Sequence, residues 1–291
     1  MTTNKPVSRV ESRPSNRPSR PVRARQQMMD HGRKLPEESP VALSFNGATE
    51  AVMMATPRDL ADFGVGFALS EGIVHHAREI SSLEVVSLEG GRDVQMTISA
   101  ERQQALAARR RKAMGPVGCG LCGIESIEAA LRDLPELGAG LKLDAADITA
   151  AVDALGKSQP LRAETGAMHG AGLWVPGRGL VHAREDVGRH NALDKLIGAC
   201  ARDGINPAEG ALVISSRVSV DLIQKAVASG SQMLIAVSTP TELAVSTAER
   251  AGLTLVALVR GDDYRIFSGR ERISEAAAID TKTAGKNADV A

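Results

Sequence analysis

Apolar and polar positions follow two different rhythms along this chain, and the change falls near its middle. Residues 41–45 and 49–55 have strand-like patterning on either side of Asn46-Gly47, the dipeptide suited to a primed hairpin turn. Pro57, Arg58 and Asp59 then open a predicted helix to about Ser70. Residues 83–88 and 93–99 flank Gly90-Gly91 and predict a second hairpin. The stretch 101–112 predicts a helix ending in Arg109-Arg110-Arg111-Lys112. Hairpin and helix alternate, so the first half reads as α+β. Glycines crowd residues 115–123, which permits unusual backbone angles and close approach of another molecule. Helices are predicted next at 125–134 and 147–158.

The second half has another character. Residues 171–175 and 180–183 flank a Pro176-Gly177 turn, and 188–202 predicts a helix. Three short runs, 211–214, 233–237 and 253–259, are apolar throughout and are separated by predicted helices at 219–229 and 241–250. Such strands need cover on both faces, so this half predicts an α/β sheet between helices. Residues 265–267 predict a final edge strand. The expected organisation is a basic tail at 1–38, an α+β domain at 39–140 that includes the glycine-rich stretch and its helix, an α/β domain at 141–270, and a polar tail at 275–291.

Charge changes this picture only locally. Lys plus Arg and Asp plus Glu each total 35, so no overall excess directs the chain to nucleic acid or a membrane. Arg9, Arg13, Arg17, Arg20, Arg23, Arg25 and Arg33, however, stand among Ser and Pro with few large apolar residues. Such a segment cannot bury enough surface to offset its ordering entropy and is expected to be disordered. It lacks the continuous apolar core of a secretory signal. The longest apolar stretches, such as 253–259, are too short to span a bilayer. Three cysteines, two of them three positions apart, do not make a secreted disulfide framework and fit a reducing compartment such as the cytoplasm.

Cys119 and Cys122, in Gly118-Cys119-Gly120-Leu121-Cys122-Gly123, are the first candidate chemistry. A thiolate is favoured by nearby cations and by a helix amino terminus; 109–112 and the predicted helix at 125 offer both, while Glu125 and Glu128 oppose the effect. Zinc binding, dithiol redox exchange and sulfur transfer through a persulfide all use such a pair. A structural zinc needs four ligands, which only Cys200 and scattered histidines are present to complete. A deaminase-type zinc site needs a His-x-Glu, and His76 with Glu79 has the wrong spacing. Thioredoxin-type exchange expects an order of elements this chain does not supply. A glycine loop suits sulfur relay, because the thiol must visit a donor and then an acceptor. Cys200 sits among Leu196, Ile197 and Ala201 and reads as a small buried hydrophobe.

The second candidate is 185–195, where Arg189, His190 and Asn191 gather at a predicted helix start suited to phosphate. The structural alternative has Asp186 capping that helix and Arg189 paired with Glu185 or Asp194. Ser215 and Arg217, then Ser238, lie in two further loops at strand carboxyl ends, where open α/β sheets usually bind ligands. Thr239 to Glu242 reads as a capping box with Pro240 at the first helical position. Arg260 would join these groups from the next strand, and His169 stands in another glycine-containing loop.

Taken together, residues 40–270 resemble the formate dehydrogenase accessory sulfurtransferase family, FdhD. The most specific parts are Gly118 through Gly123 and Arg184-Glu-Asp-Val-Gly-Arg-His-Asn-Ala-Leu-Asp-Lys-Leu-Ile-Gly198. The resemblance implies a cytidine-deaminase-like, three-layer second half without its zinc centre. It further implies a sulfurtransferase that takes sulfur from a cysteine desulfurase and delivers it to the molybdenum cofactor, molybdopterin guanine dinucleotide, for formate dehydrogenase. That cofactor would be bound as substrate, with no structural metal. Cys119 would bear the persulfide and Cys122 would assist. Leu258, Val259, Arg260, Gly261, Asp262 and Asp263 would be among the nucleotide contacts, and a homodimer is implied. The alternative is a non-catalytic cofactor-binding chaperone with a structural cysteine pair. Ser216, Asp221, Ala167 and Leu258 stand where the family pattern has glycine, glutamate, glycine and phenylalanine.

Overall fold

The computed structural model describes residues 33–112, 134–138 and 140–274, with the backbone alone at 109–112. Strands β1 (Ser39–Phe45) and β2 (Ala48–Ala55) form the first hairpin, with both Asn46 and Gly47 at positive φ as a primed turn requires. Helix α1 (Leu60–Ser70) leads to the second hairpin, β3 (Ile80–Leu88) and β4 (Gly91–Ile98), and then to α2 (Ala100–Lys112). The parallel pairing of β1 with β4 joins the hairpins into a sheet of order β2-β1-β4-β3. Val41, Leu43, Phe45, Val94 and Met96 bury one face of it against Phe63 and Phe67 of α1.

The rest of the chain builds a mixed α/β sheet. Strand β5 (Leu143–Asp144) precedes helices α3 (Ala145–Lys157) and α4 (Pro160–Thr165). The hairpin β6 (His169–Val175) and β7 (Gly179–Asp186) runs into α5 (Arg189–Arg202). Next come β8 (Ala211–Ile214), α6 (Val220–Ala228), β9 (Met233–Ala236), α7 (Glu242–Arg250) and β10 (Thr254–Arg260). Strand β11 (Asp263–Ser268) ends the large sheet, and β12 (Ile273–Ser274) returns to pair with β5. The order is β11-β10-β9-β8-β6-β7, with β8, β9 and β10 parallel and the rest antiparallel to their neighbours. Alternation sorts the strand residues between two layers. Leu212, Ile214, Leu234, Leu255 and Ala257 pack with α5, α6 and α7, whereas Ala211, Val213, Ile235 and Val256 pack with Ile148, Ala151 and Leu155 of α3. The α/β reading of this half is thereby confirmed. No helix among the described residues is long and apolar enough to cross a membrane.

The described residues from Leu35 onward form one compact unit, and α1 against α5 is its main seam. Glycine is required on both sides of that crossing. A Cβ on Gly66 would lie 1.7 Å from the Asp194 carbonyl oxygen, and one on Gly198 would lie 1.9 Å from that of Asp62. Buried ion pairs flank the contact. Lys225 donates to Asp194, to Ser70 and, at 3.0 Å, to Glu71. Burial works against its charge, but these carboxylates more than offset that and hold the ammonium above the usual lysine range. Asp62 accepts from Arg184 at 2.8 Å and from Arg202.

Several expected boundaries move, each for a tertiary reason. Helix α1 starts at Leu60 and not at Pro57, because Thr56 is tied to the second half: its N–H donates to Asp186, its hydroxyl accepts from Val187, and its carbonyl accepts from Lys195. Strands β6 and β7 extend to His169 and Asp186, which face each other across the ladder, so His169 is a strand residue and not a loop residue. Thr241 and not Thr239 caps α7, because Val218 bonds the Thr239 carbonyl and the Thr241 N–H and keeps the chain extended there. The β5–β12 pair had no local signal, and helix α4, which was not expected, is marked locally only by Pro160 at its first position and Gly166 just past its end. Residues 1–32 of the expected tail at 1–38, the expected tail at 275–291, the glycine-rich stretch at 115–123 and residues 125–133 of the expected helix at 125–134 lie outside the described residues.

Candidate functional site

The carboxyl ends of β7, β8, β9 and β10 and the amino end of β6 share one edge of the large sheet. From β10 to β7 that edge spans four strand spacings, about 19 Å. Hydrogen bonds knit its loops together. Ser215 donates its N–H to the Gly170 carbonyl and accepts the Gly170 N–H on its hydroxyl at 2.8 Å, and Leu258 N–H reaches the Ser238 carbonyl at 3.4 Å.

The stretch 185–195 divides between two directions. Asp186, fully buried, accepts Gly188 N–H and Asn191 Nδ2 on one oxygen, and Thr56 N–H with the Lys195 ammonium, at 2.6 Å, on the other. Asn191 also donates to the Met54 carbonyl and is buried. Asp186, Asn191, Asp194 and Lys195 are therefore committed to the protein's own interior. Glu185 accepts the N–H groups of Leu161 and Arg162, both at 2.8 Å, and so holds the first turn of α4. The expected Asp186 cap takes the form of a tight turn onto Gly188, and neither Glu185 nor Asp194 forms a salt bridge with Arg189 among the described residues.

Arg189 and His190 face the strand ends instead. The Arg189 Nε is buried and meets no acceptor among the described residues. A guanidinium N–H in that position calls for an acceptor supplied from elsewhere. His169 is half-buried beside it; burial first, then the charges of Arg189, Arg162 and Arg217 push its pKa down against the pull of Asp186. His190 approaches the Ser219 hydroxyl at 3.5 Å and Asp221 at 3.8 Å. Burial, with Arg189 and Lys225, lowers it to about 4 against the opposing pull of Asp221 and Glu71. Both imidazoles are thus held toward the neutral form beside these guanidinium groups. Such a set attracts an anion with several oxygens, and a phosphate or diphosphate fits it.

Ser238 and residues 258–263 stand at the far end of the edge. Val259 is buried in the core against α3, while Arg260, Gly261, Asp262 and Asp263 are exposed and form the β10–β11 turn, anchored by Thr149 donating to the Gly261 carbonyl. Leu258 has φ 59°, a left-handed conformation that costs an L residue about 1 kcal/mol or more, at the irregularity between β10 and β11. The structure thus brings His169, Arg189 and Arg217 together, sets His190 toward Ser219 and Asp221, and turns Asn191 inward. Arg162, on the unforeseen helix α4, joins the cations. Cys119 and Cys122 lie outside the described residues. Cys200 is fully buried and its thiol is pushed up to about 12 by burial, as its apolar setting predicts.

Comparison with known proteins gives a consistent relationship. The family model described as FdhD/NarQ family matches residues 36–274. A relative named sulfur carrier protein FdhD from Agrobacterium fabrum is 53% identical over 83% of this chain and 89% of its own. Proteins of the same name from Brucella abortus and Xanthomonas oryzae are 51% and 48% identical, covering 84% and 83% of this chain and 92% and 86% of their own. Among solved structures, one provisionally named a formate dehydrogenase accessory protein, from Desulfotalea psychrophila, is 28% identical with a TM-score of 0.65, over 82% of this chain and 90% of that one. With the family match running across 36–274 and relatives this similar over most of their length, the chain belongs to the FdhD/NarQ family.

Proposed function

We propose that this chain is a sulfur carrier acting as a sulfurtransferase, which receives sulfur from a cysteine desulfurase and passes it to the molybdenum cofactor, molybdopterin guanine dinucleotide, for use by formate dehydrogenase. Support for the carrier role comes from the relatives' shared name and from the cysteine pair. The observation that carries the acceptor side is Arg189, whose buried Nε has no acceptor among the described residues and stands beside the cations at the strand ends. A guanine dinucleotide has the phosphate oxygens such a guanidinium needs, and the edge of about 19 Å is long enough to seat an extended one from Arg189 to residues 258–263.

In this reading the Cys119 thiolate attacks the outer sulfur of the donor persulfide. The donor's S–S bond breaks, its cysteine leaves as a thiolate, and Cys119 holds the transferred sulfur. Attack by Cys122 on the inner sulfur expels hydrosulfide and closes a disulfide, which a dithiol reductant reopens. The two cysteine sulfurs are oxidised as the transferred sulfur is reduced. Free thiols of this kind belong in a reducing compartment, the cytoplasm, and the working form is a homodimer. Intact-mass analysis after incubation with a desulfurase and cysteine should show one added sulfur on the wild type and none on Cys119→Ala. An equal gain on the variant excludes Cys119 as carrier. Calorimetry with GDP should show binding that Arg189→Ala weakens.

A further inference from the structure

Helix α4 is short, lacks an apolar stripe and carries no side-chain cap of its own, yet it is held firmly on the β6–β7 end of the candidate site. Both oxygens of Glu185, a carboxylate only 6% exposed, are spent on the N–H groups of Leu161 and Arg162. Gln159, 4% exposed, lies over Gly170, where a Cβ would stand 2.4 Å from its Nε2 and would displace the amide. Gly170 is opposite Glu185 in the β6–β7 ladder and exchanges hydrogen bonds with Ser215, two residues before Arg217. Beyond α4 the chain turns at Gly166, φ 71°, and reaches His169 three residues later. An unbroken path of backbone and side-chain contacts thus joins Arg162 to the strand-end loops. The Arg162 guanidinium itself is exposed and has no salt-bridge partner among the described residues.

We propose that Arg162 is a further anion-binding residue of the strand-end site, contacting the same diphosphate as Arg189, and that Glu185 is the positioning residue that places it there. The proposal rests on the reading of that edge as a phosphate site. Two carboxylate–amide bonds fix the first turn of α4, so the arginine is presented from a rigid base instead of a free loop. Its charge also reaches His169 and adds to the forces that keep this imidazole neutral.

The test is calorimetric titration of the full chain with GDP, competed with inorganic pyrophosphate, alongside thermal melting. Arg162→Ala should weaken GDP binding about tenfold, the loss of one charge-assisted contact, with melting unchanged. Arg162→Lys should recover part of the loss, because it restores charge without the planar fork. Glu185→Gln, which keeps one acceptor oxygen, should weaken binding less than Arg162→Ala does. Arg178→Ala, at the β6–β7 turn on the opposite edge, should have no effect. If Arg189→Ala loses affinity while Arg162→Ala binds as the wild type does, the role of Arg162 is overturned and the phosphate site stands. If neither substitution matters, or the wild type binds no GDP, the phosphate site falls and this inference with it.

Discussion

The buried seam between α1 and α5 and the open strand-end site draw on the same stretch, 185–195, and use its polar groups in opposite ways. At the seam every charge found a partner within the chain: Lys195 on Asp186, Lys225 on Asp194, and Arg184 and Arg202 on Asp62. At the strand ends the cations stand together and the Arg189 Nε has no acceptor among the described residues. A polar residue in a dense motif is therefore a ligand candidate only after its internal obligations are counted. Asp186 and Asn191 are spent on architecture, while Arg189, one turn of chain between them, is not.

The largest effect should come from closing the seam's glycine contact. Gly66→Ala and Gly198→Ala each force a side-chain carbon into a backbone carbonyl, and each should cost more than about 4 kcal/mol in urea denaturation. A smaller cost would show that the two helices separate readily. Next is Asp186→Ala, which strands the Lys195 charge in a fully buried place and should destabilise by about 3–5 kcal/mol. Adding Lys195→Met to that variant should restore part of the loss; no recovery would mean that Asp186 acts through its backbone contacts alone.

The strand-end site should instead reveal itself through protons and ligands. The folded pKa of His190, about 4, lies below its usual 6.5, so the unfolded chain takes up the proton first as the pH falls. Stability is complete above 6.5 and is lost between 6.5 and 4, by on the order of 3 kcal/mol as an upper bound. His190→Gln should flatten that part of the stability-against-pH curve, and an unchanged slope would assign it to other groups. Smallest of all, Arg189→Ala should leave stability within about 1 kcal/mol, because the half-buried side chain it removes has an Nε with no acceptor among the described residues, while GDP affinity drops. A large stability loss would move Arg189 to the structural side of the comparison.

Much of the fold was legible because its signals are local. Asn46-Gly47 pointed to a primed turn, and the apolar runs at 211–214 and 233–237, alternating with helices, pointed to strands covered on both faces, which are β8 and β9. Cys200 read as core from its neighbours alone. Helix α4 was not foreseen: locally it offers only Pro160 at its start and Gly166 at its end, and what holds its first turn is Glu185, 23 residues past Arg162. Nor could local pattern show that Thr56 holds Asp186 and Ser70 holds Asp194, because those partners are more than 120 residues apart.

By itself, then, the sequence determined the order and kind of most of the described elements, the cysteine pair in its glycine stretch and the family to which the motif at 184–198 pointed, because periodicity, turn chemistry and motif spacing act over a few neighbouring residues. Only the tertiary structure decided which polar groups of 185–195 are already satisfied and which still need a partner. That division depends on desolvation and on partners brought from distant parts of the chain, and neither quantity exists until the chain has folded.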